Sequence, residues 1–261
     1  MVQYRIKICA IGLFILIAGF VNAQKTIEIS DGLALHADKF NVKLGSQGPG
    51  KMWKMHFGEY AVVSSKMGWS TGSSKANLFN TKVESRSTQK FSFILSNKSG
   101  DSAWVSAAYN IQAKALQEVE VIAGFSWGSN ELLQESKNFS AYININQDTS
   151  ETWALFMHVA SGRDSAGNYE AFLTNGERKI FIIPVGQQKT GNPFKQPPAG
   201  YEFFEKKLSL SALQYSSMMA MYDDIIWISR EQNTKMKLVL AASMTALLQS
   251  KISEQNSQQV E

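Results

Sequence analysis

Cysteine is nearly absent from this chain. Cys9 is the single one among 261 residues, and it lies inside an N-terminal apolar run. Once that run is removed, no thiol, disulfide or cysteine metal ligand is left, and stability must come from packing. Histidine is almost as scarce, with only His36, His56 and His158. They fall on separate strand-like stretches without the close pairing of metalloprotease motifs, so no metal site and no cofactor is expected. Excess positive charge is lacking too: 26 basic side chains stand against 22 acidic ones. No basic run is interleaved with aromatics, which argues against a nucleic-acid partner. Apolar runs of bilayer length are also missing after the first, so no transmembrane span is expected in the mature chain.

What is present begins with an address label. Arg5 and Lys7 precede the apolar stretch Cys9 to Phe20, and Val21-Asn22-Ala23 is a small-residue cleavage signal. Residues 1–23 therefore read as a signal peptide, with Gln24 as the new N-terminus. The remaining 238 of 261 residues keep 24 basic side chains, a net charge near +2. The chain is expected to be exported, periplasmic or secreted, and disulfide-free export fits a bacterial envelope.

Most of the mature chain alternates with a period of two. Thr26 to Ser30 and Leu33 to Leu44 read as an opening strand pair around Asp31-Gly32. Phe91 to Leu95 and Trp104 to Ile111 form a hairpin around Asn97 to Asp101. A similar unit joins Phe139 to Ile145 with Trp153 to Val159, and the Phe-to-Trp spacings of 13 and 14 residues could mark a duplication. Asn175-Gly176, between Tyr169 to Thr174 and Glu177 to Ile183, carries the strongest hairpin signal. Four of the five prolines fall in 184–198, which predicts a long loop over 184–200. Tyr201 to Leu213 alternates again, and Ile225 to Ile228 reads as a buried strand. Ser229 with Gln232, or Asn233, would cap a following helix.

That helix organises the rest. Met236 to Leu248 contains no Gly or Pro, and its apolar side chains point in every direction at 100° per residue. A helix apolar all round must be surrounded, and one of about 20 Å is too short to span a bilayer. The expected fold is thus mainly β: one domain over 24–252, an antiparallel barrel or curved sheet of roughly ten to twelve strands around a buried C-terminal helix. Residues 253–261 are expected to fray as a polar tail. The strand Ile225-Ile226-Trp227-Ile228, the polar link, then Lys237 to Ala242 and Ala246 to Leu248 resemble the ending of the tubby C-terminal-like fold, which includes the scramblase and LURP-one groups. The resemblance implies a barrel around an apolar helix and proximity to lipid. No phosphoinositide-binding cationic motif matches, so no site residue is carried over.

Candidate sites are few. Gly68-Trp69-Ser70-Thr71-Gly72 fits the G-x-S-x-G nucleophile pattern, with His158 as base and Asp148 as its orienter, but Ser73-Ser74-Lys75 does not open the helix that a nucleophile elbow needs. Gly100-Asp101-Ser102 resembles a hydrolase opening, yet it falls in a hairpin turn. Asp223-Asp224 lacks the alternating oxygen ligands of a calcium loop. Met218, Met219, Met221 and Tyr222 form a flexible apolar cluster suited to apolar ligands. The six tryptophans are expected to serve the core first and an interface second. Asn97-Lys98-Ser99 and Asn138-Phe139-Ser140 are glycosylation sequons, relevant only on a eukaryotic secretory route. The resulting expectation is an exported, non-catalytic binding or scaffold protein of the envelope or extracellular space. A lipid or apolar-ligand binder and a serine hydrolase using Ser70 are the alternatives, with a lipid or an envelope protein as partner.

Overall fold

The computed structural model describes residues 26–258 apart from 78–81, 117–118, 123–124, 128–130, 149, 165–167, 187–198 and 217–222, and no side chains over 119–127 or 255–258. A short helix α1 (Asp31–His36) leads into β1 (Ala37–Asn41) and β2 (Lys43–Gln47). Then follow β3 (Trp53–Phe57), β4 (Tyr60–Met67), β5 (Thr71–Ala76), β6 (Lys82–Ser96) and β7 (Ser102–Leu116). A small pair, β8 (Val119–Ile122) and β9 (Phe125–Trp127), precedes β10 (Glu131–Ile145), β11 (Thr152–Ser161), β12 (Tyr169–Thr174) and β13 (Lys179–Gly186). The chain ends in β14 (Ala199–Glu205), β15 (Leu208–Tyr215), β16 (Ile225–Ser229) and the long helix α2 (Thr234–Gln258).

Fourteen strands form one antiparallel sheet, more than the ten to twelve expected, and β8 and β9 pair separately. The sheet curls into a nearly closed barrel. Its two end strands, β1 and β2, are consecutive and separated only by Val42. The ribbon pairs with β16 through its first half and with β3 through its second. Across this seam Phe40 packs on Phe57 and Tyr60, with ring centroids 6.5 and 6.4 Å apart. Gly58 makes that contact feasible: its φ is +55°, and a Cβ there would lie 2.5 Å from the Phe40 ring.

Helix α2 fills the barrel. Met236, Leu238 to Ala242, Met244 and Ala246 to Leu248 are all buried. The inward side chains of the wall, among them Phe57, Leu95, Ile143, Trp153, Leu155, Leu173 and Phe203, close around them. Each such residue contributes about 1.5–3 kcal/mol by burial. Asn233 caps the helix, its Oδ1 accepting the Met236 N–H at 2.8 Å. Ser243 and Thr245 satisfy their hydroxyls within the helix by donating to Val239 O and Ala241 O, both at 2.8 Å.

Several expectations shift. The helix passes the expected boundary at 252, and Ser253 and Glu254 are buried rather than frayed. Asp31-Gly32 opens α1 and is not a strand turn, because the segment leans on the outside of the sheet. Pro184 lies within β13, opposite Tyr201, so the connection is shorter than 184–200. The Asn175-Gly176 hairpin forms, but as a wider loop: Thr174 pairs with Lys179, and Asn175 Oδ1 accepts the N–H groups of Glu177 and Arg178. A tight two-residue turn forms instead at Lys206-Lys207, both left-handed, at φ 48° and 71°. The two similar hairpins, β6–β7 and β10–β11, are not equivalent. Phe91 and Phe139 both face inward, but the one-residue difference in spacing turns Trp104 outward and Trp153 inward.

Candidate ligand-binding surface

Because the interior is filled by α2, the surface chemistry lies on the outer face of the wall. Strand parity assigns it. On β6, Phe91, Phe93 and Leu95 point inward, so the even-numbered side chains point out, and pairing places them in lateral rows. One row runs Ser64, Ile94, Trp104, Asn144. The next runs Lys66, Ser92, Ser106, Tyr142. A third runs Lys90, Ala108, Ser140, Phe156, Phe172, Phe181.

These rows are unusually aromatic for an outer face. Trp104 is 39 %, Tyr142 51 % and Phe181 52 % exposed. Tyr142 meets Phe156 edge-on at 6.4 Å, and Phe156 meets Phe172 at 5.5 Å. Lys179 Nζ lies 4.1 Å from the Phe172 ring centre and 5.2 Å from that of Phe181. Beside the aromatics the wall dips. A depression of about 390 Å³ is bounded by Trp104, Tyr142, Asn144 and Lys66. It shares Lys66, Ser92 and Ser106 with a second, of about 300 Å³, that reaches Gly68 and Lys90. Trp69, next to Gly68, is 94 % exposed. A further depression of about 370 Å³ lies between β5 and β10, where Lys114 pairs with Glu84 at 3.3 Å.

The densest electrostatics lie elsewhere, where α2 leaves the barrel. Glu254 bonds Lys137 on β10, and Lys251 reaches it at 3.0 Å. Lys137 also meets Glu135 at 3.3 Å. Burial pushes the Glu254 carboxyl up, but Lys251 and Lys137 overcome this and hold it below the ordinary carboxylate range. Burial pulls Lys251 down, and Tyr215 and Glu254 more than restore it. Tyr109 and Tyr201 stay protonated, chiefly by burial. This network ties the helix to its wall, and every charge in it already has a partner.

The sequence candidates do not assemble. Ser70 Oγ lies 3.3 Å from Ser87 Oγ at the start of β5, with no helix following. His158 Nδ1 bonds Asn138 Oδ1 at 2.7 Å on β11. Between β6 and β11 lie β7 and β10, three lateral steps or roughly 14 Å. Asp148 is spent on its own turn, accepting Ser150 N–H at 2.9 Å and Ser150 Oγ–H at 2.6 Å. Asp101 ties its hairpin to the neighbouring β10–β11 turn, accepting from Asn146 Nδ2 at 2.9 Å. Asp223 accepts from Asn41 Nδ2 at 3.2 Å, and Asp224 accepts the Ser216 N–H at 2.9 Å. Burial raises Asp224 to about 6. His36 and His56 are exposed on α1 and β3. Among the described residues no group of three His, Cys, Asp or Glu side chains could hold a metal. Met218, Met219, Met221 and Tyr222 lie outside the described residues. Of the tryptophans, Trp153 and Trp227 are core, whereas Trp69 and Trp104 are exposed.

The outer rows were missed by sequence reading, although a signal exists. Ala154-Leu155-Phe156-Met157 is apolar at both parities, so both faces of β11 carry apolar side chains. No family model, curated protein or solved structure matches this chain.

Proposed function

We propose that the chain is an exported, non-catalytic binding protein that works through the outer wall of its barrel. The observation that carries this is the band Trp104, Tyr142, Phe156 and Phe181, exposed beside the half-buried Phe172 on a wall whose inner face is already packed on α2. Exposed aromatics grouped beside polar groups mark interaction surfaces. Export rests on the residue 1–23 pattern. The likeness to the tubby C-terminal-like fold belongs to the same proposal and rests on the Ile225 to Leu248 residues alone.

The test is retention of the purified mature protein on isolated cell-envelope material from its source. A Tyr142→Ser/Phe156→Ser variant with unchanged melting should be released, and equal retention of both proteins would refute the proposal. Stoichiometric labelling by a fluorophosphonate, lost in Ser70→Ala, would favour the hydrolase instead.

A further inference from the structure

Resting on the reading above, a narrower assignment follows for one part of the wall. We propose that the depressions over β4, β6, β7 and β10 bind the sugar rings of an acidic polysaccharide. Trp104 and Tyr142 act as stacking platforms, Ser92, Ser106 and Asn144 as hydrogen-bonding partners, and Lys66 and Lys90 as contacts for carboxylate or sulfate groups.

The backbone narrows the choice first. β6, β7 and β10 each have a hydrogen-bonded neighbour on both sides, so no free strand edge is offered. A peptide adding itself as an extra strand to any of these three is thereby excluded. Recognition must come from side chains. Those on the floor are the hydroxyls of Ser64, Ser92 and Ser106 with Ile94 among them, and those standing above it are a Trp and a Tyr. Such rings present an apolar face together with a polar tip. A pyranose ring has the complementary form, with a C–H face and a hydroxyl rim. Asn144 adds donors: its Oδ1 accepts from Thr152 Oγ1 at 2.8 Å, and its amide N–H groups have no partner among the described residues.

Charge narrows the choice further. No acidic side chain lines either of the two adjoining depressions among the described residues. Among the described residues Lys66 and Lys90 make no ion pair. Two unpaired cations on a hydroxyl floor suit an anionic, hydroxyl-rich ligand. A lipid tail would leave the two cations and the serine hydroxyls without partners. A nucleic acid would draw its affinity from many more cations than these two. The two depressions share Lys66, Ser92 and Ser106, so the surface is elongated, with room for more than one ring.

Affinity electrophoresis in native gels tests this, using full mature protein and gels cast with alginate, polygalacturonate, hyaluronate or heparin, with neutral dextran and an oligo-dT as comparators. The wild type should be retarded by at least one acidic polysaccharide and not by dextran. Trp104→Ala/Tyr142→Ser should weaken this about tenfold or more, with unchanged melting. Lys66→Gln/Lys90→Gln, read against a polymer-free gel, should remove the preference for acidic over neutral chains. Failure of the whole acidic panel, binding unaffected by either variant, or stronger retardation by oligo-dT each overturns the assignment. If any of these occurs while envelope retention still depends on Tyr142 and Phe156, the broader binding proposal stands and only the saccharide is lost.

Discussion

The outer face of this sheet is treated in two opposite ways. Over β14 to β16 it is covered: Ile27 and Leu33 of the N-terminal segment pack on Ala212, Ile225 and Trp227. Polar anchors hold that cover in place. Glu202, buried, accepts the Ser30 N–H at 3.1 Å and the Ser209 Oγ–H at 2.6 Å, and it also binds the Ser30 hydroxyl. Gln214 accepts the Ile27 N–H at 2.9 Å. Gly200 permits the approach, since a Cβ there would sit 2.6 Å from Ile27 Cδ1. Over β10 to β13 no described residue covers the same face in this way, although Phe156 and Phe181 are as apolar as what is hidden next door. The proposed binding role rests on this contrast, since grouped exposed apolar side chains are a mark of interaction surfaces.

The comparison predicts a graded response to truncation. Leu240→Ala, inside the barrel, should cost about 3–5 kcal/mol, because the enclosed site cannot collapse around the lost atoms. Urea denaturation measures this, and a loss below that of any outer-face variant would contradict the filled barrel. Leu33→Ala, beneath the covered outer face, should cost about 2–4 kcal/mol in the same assay. A negligible effect would mean that the N-terminal segment is only loosely seated.

Asp224 lies at the start of the covered region, where its carbonyl also accepts the Val42 N–H at 2.8 Å. Burial raises its carboxyl from 3.8 to about 6, so the folded state binds a proton that the unfolded state has released. Stability contributed by this group is full below pH 4 and falls as pH rises towards 6. Asp224→Asn should therefore gain about 2–3 kcal/mol relative to wild type between pH 4 and pH 7. Parallel melting curves at the two pH values would show that the carboxyl is not buried in solution.

On the bare region, Phe156→Ser should cost no more than about 1 kcal/mol, since its outer side has little to lose. A collapse of stability there would make the aromatic band structural. The smallest effect is expected at the left-handed Lys206-Lys207 turn, where Asn-Gly should stabilise by about 0.5–1 kcal/mol. An unchanged or lower melting temperature would mean that the lysines are held there by contacts beyond the turn.

Much of the architecture was legible beforehand, for local reasons. Met236 to Leu248 has no polar side, and burial on every side follows from that alone. The hairpins at Asn97 to Asp101 and Asn175-Gly176 were readable from turn residues. The Lys206-Lys207 turn was not, because lysine carries no preference for positive φ and only the pairing of Glu205 with Leu208 demands it. The polar stretch after Leu248 was misread for a similar reason. Gln249 to Glu254 look solvated in sequence, but Lys137 arrives from a distant strand to pair with Glu254.

The sequence by itself determined the period-two strands, the all-apolar helix and therefore a β-wall enclosing it, because those patterns admit no other way to remove apolar surface from water. Only the tertiary structure decided which of the wall's two faces each side chain occupies, and which part of the outer face is covered. Strand parity is relative, and one extra residue between Phe139 and Trp153 is enough to turn a side chain from solvent to core. The open aromatic rows, and with them the candidate site, exist only once neighbouring strands have chosen their register.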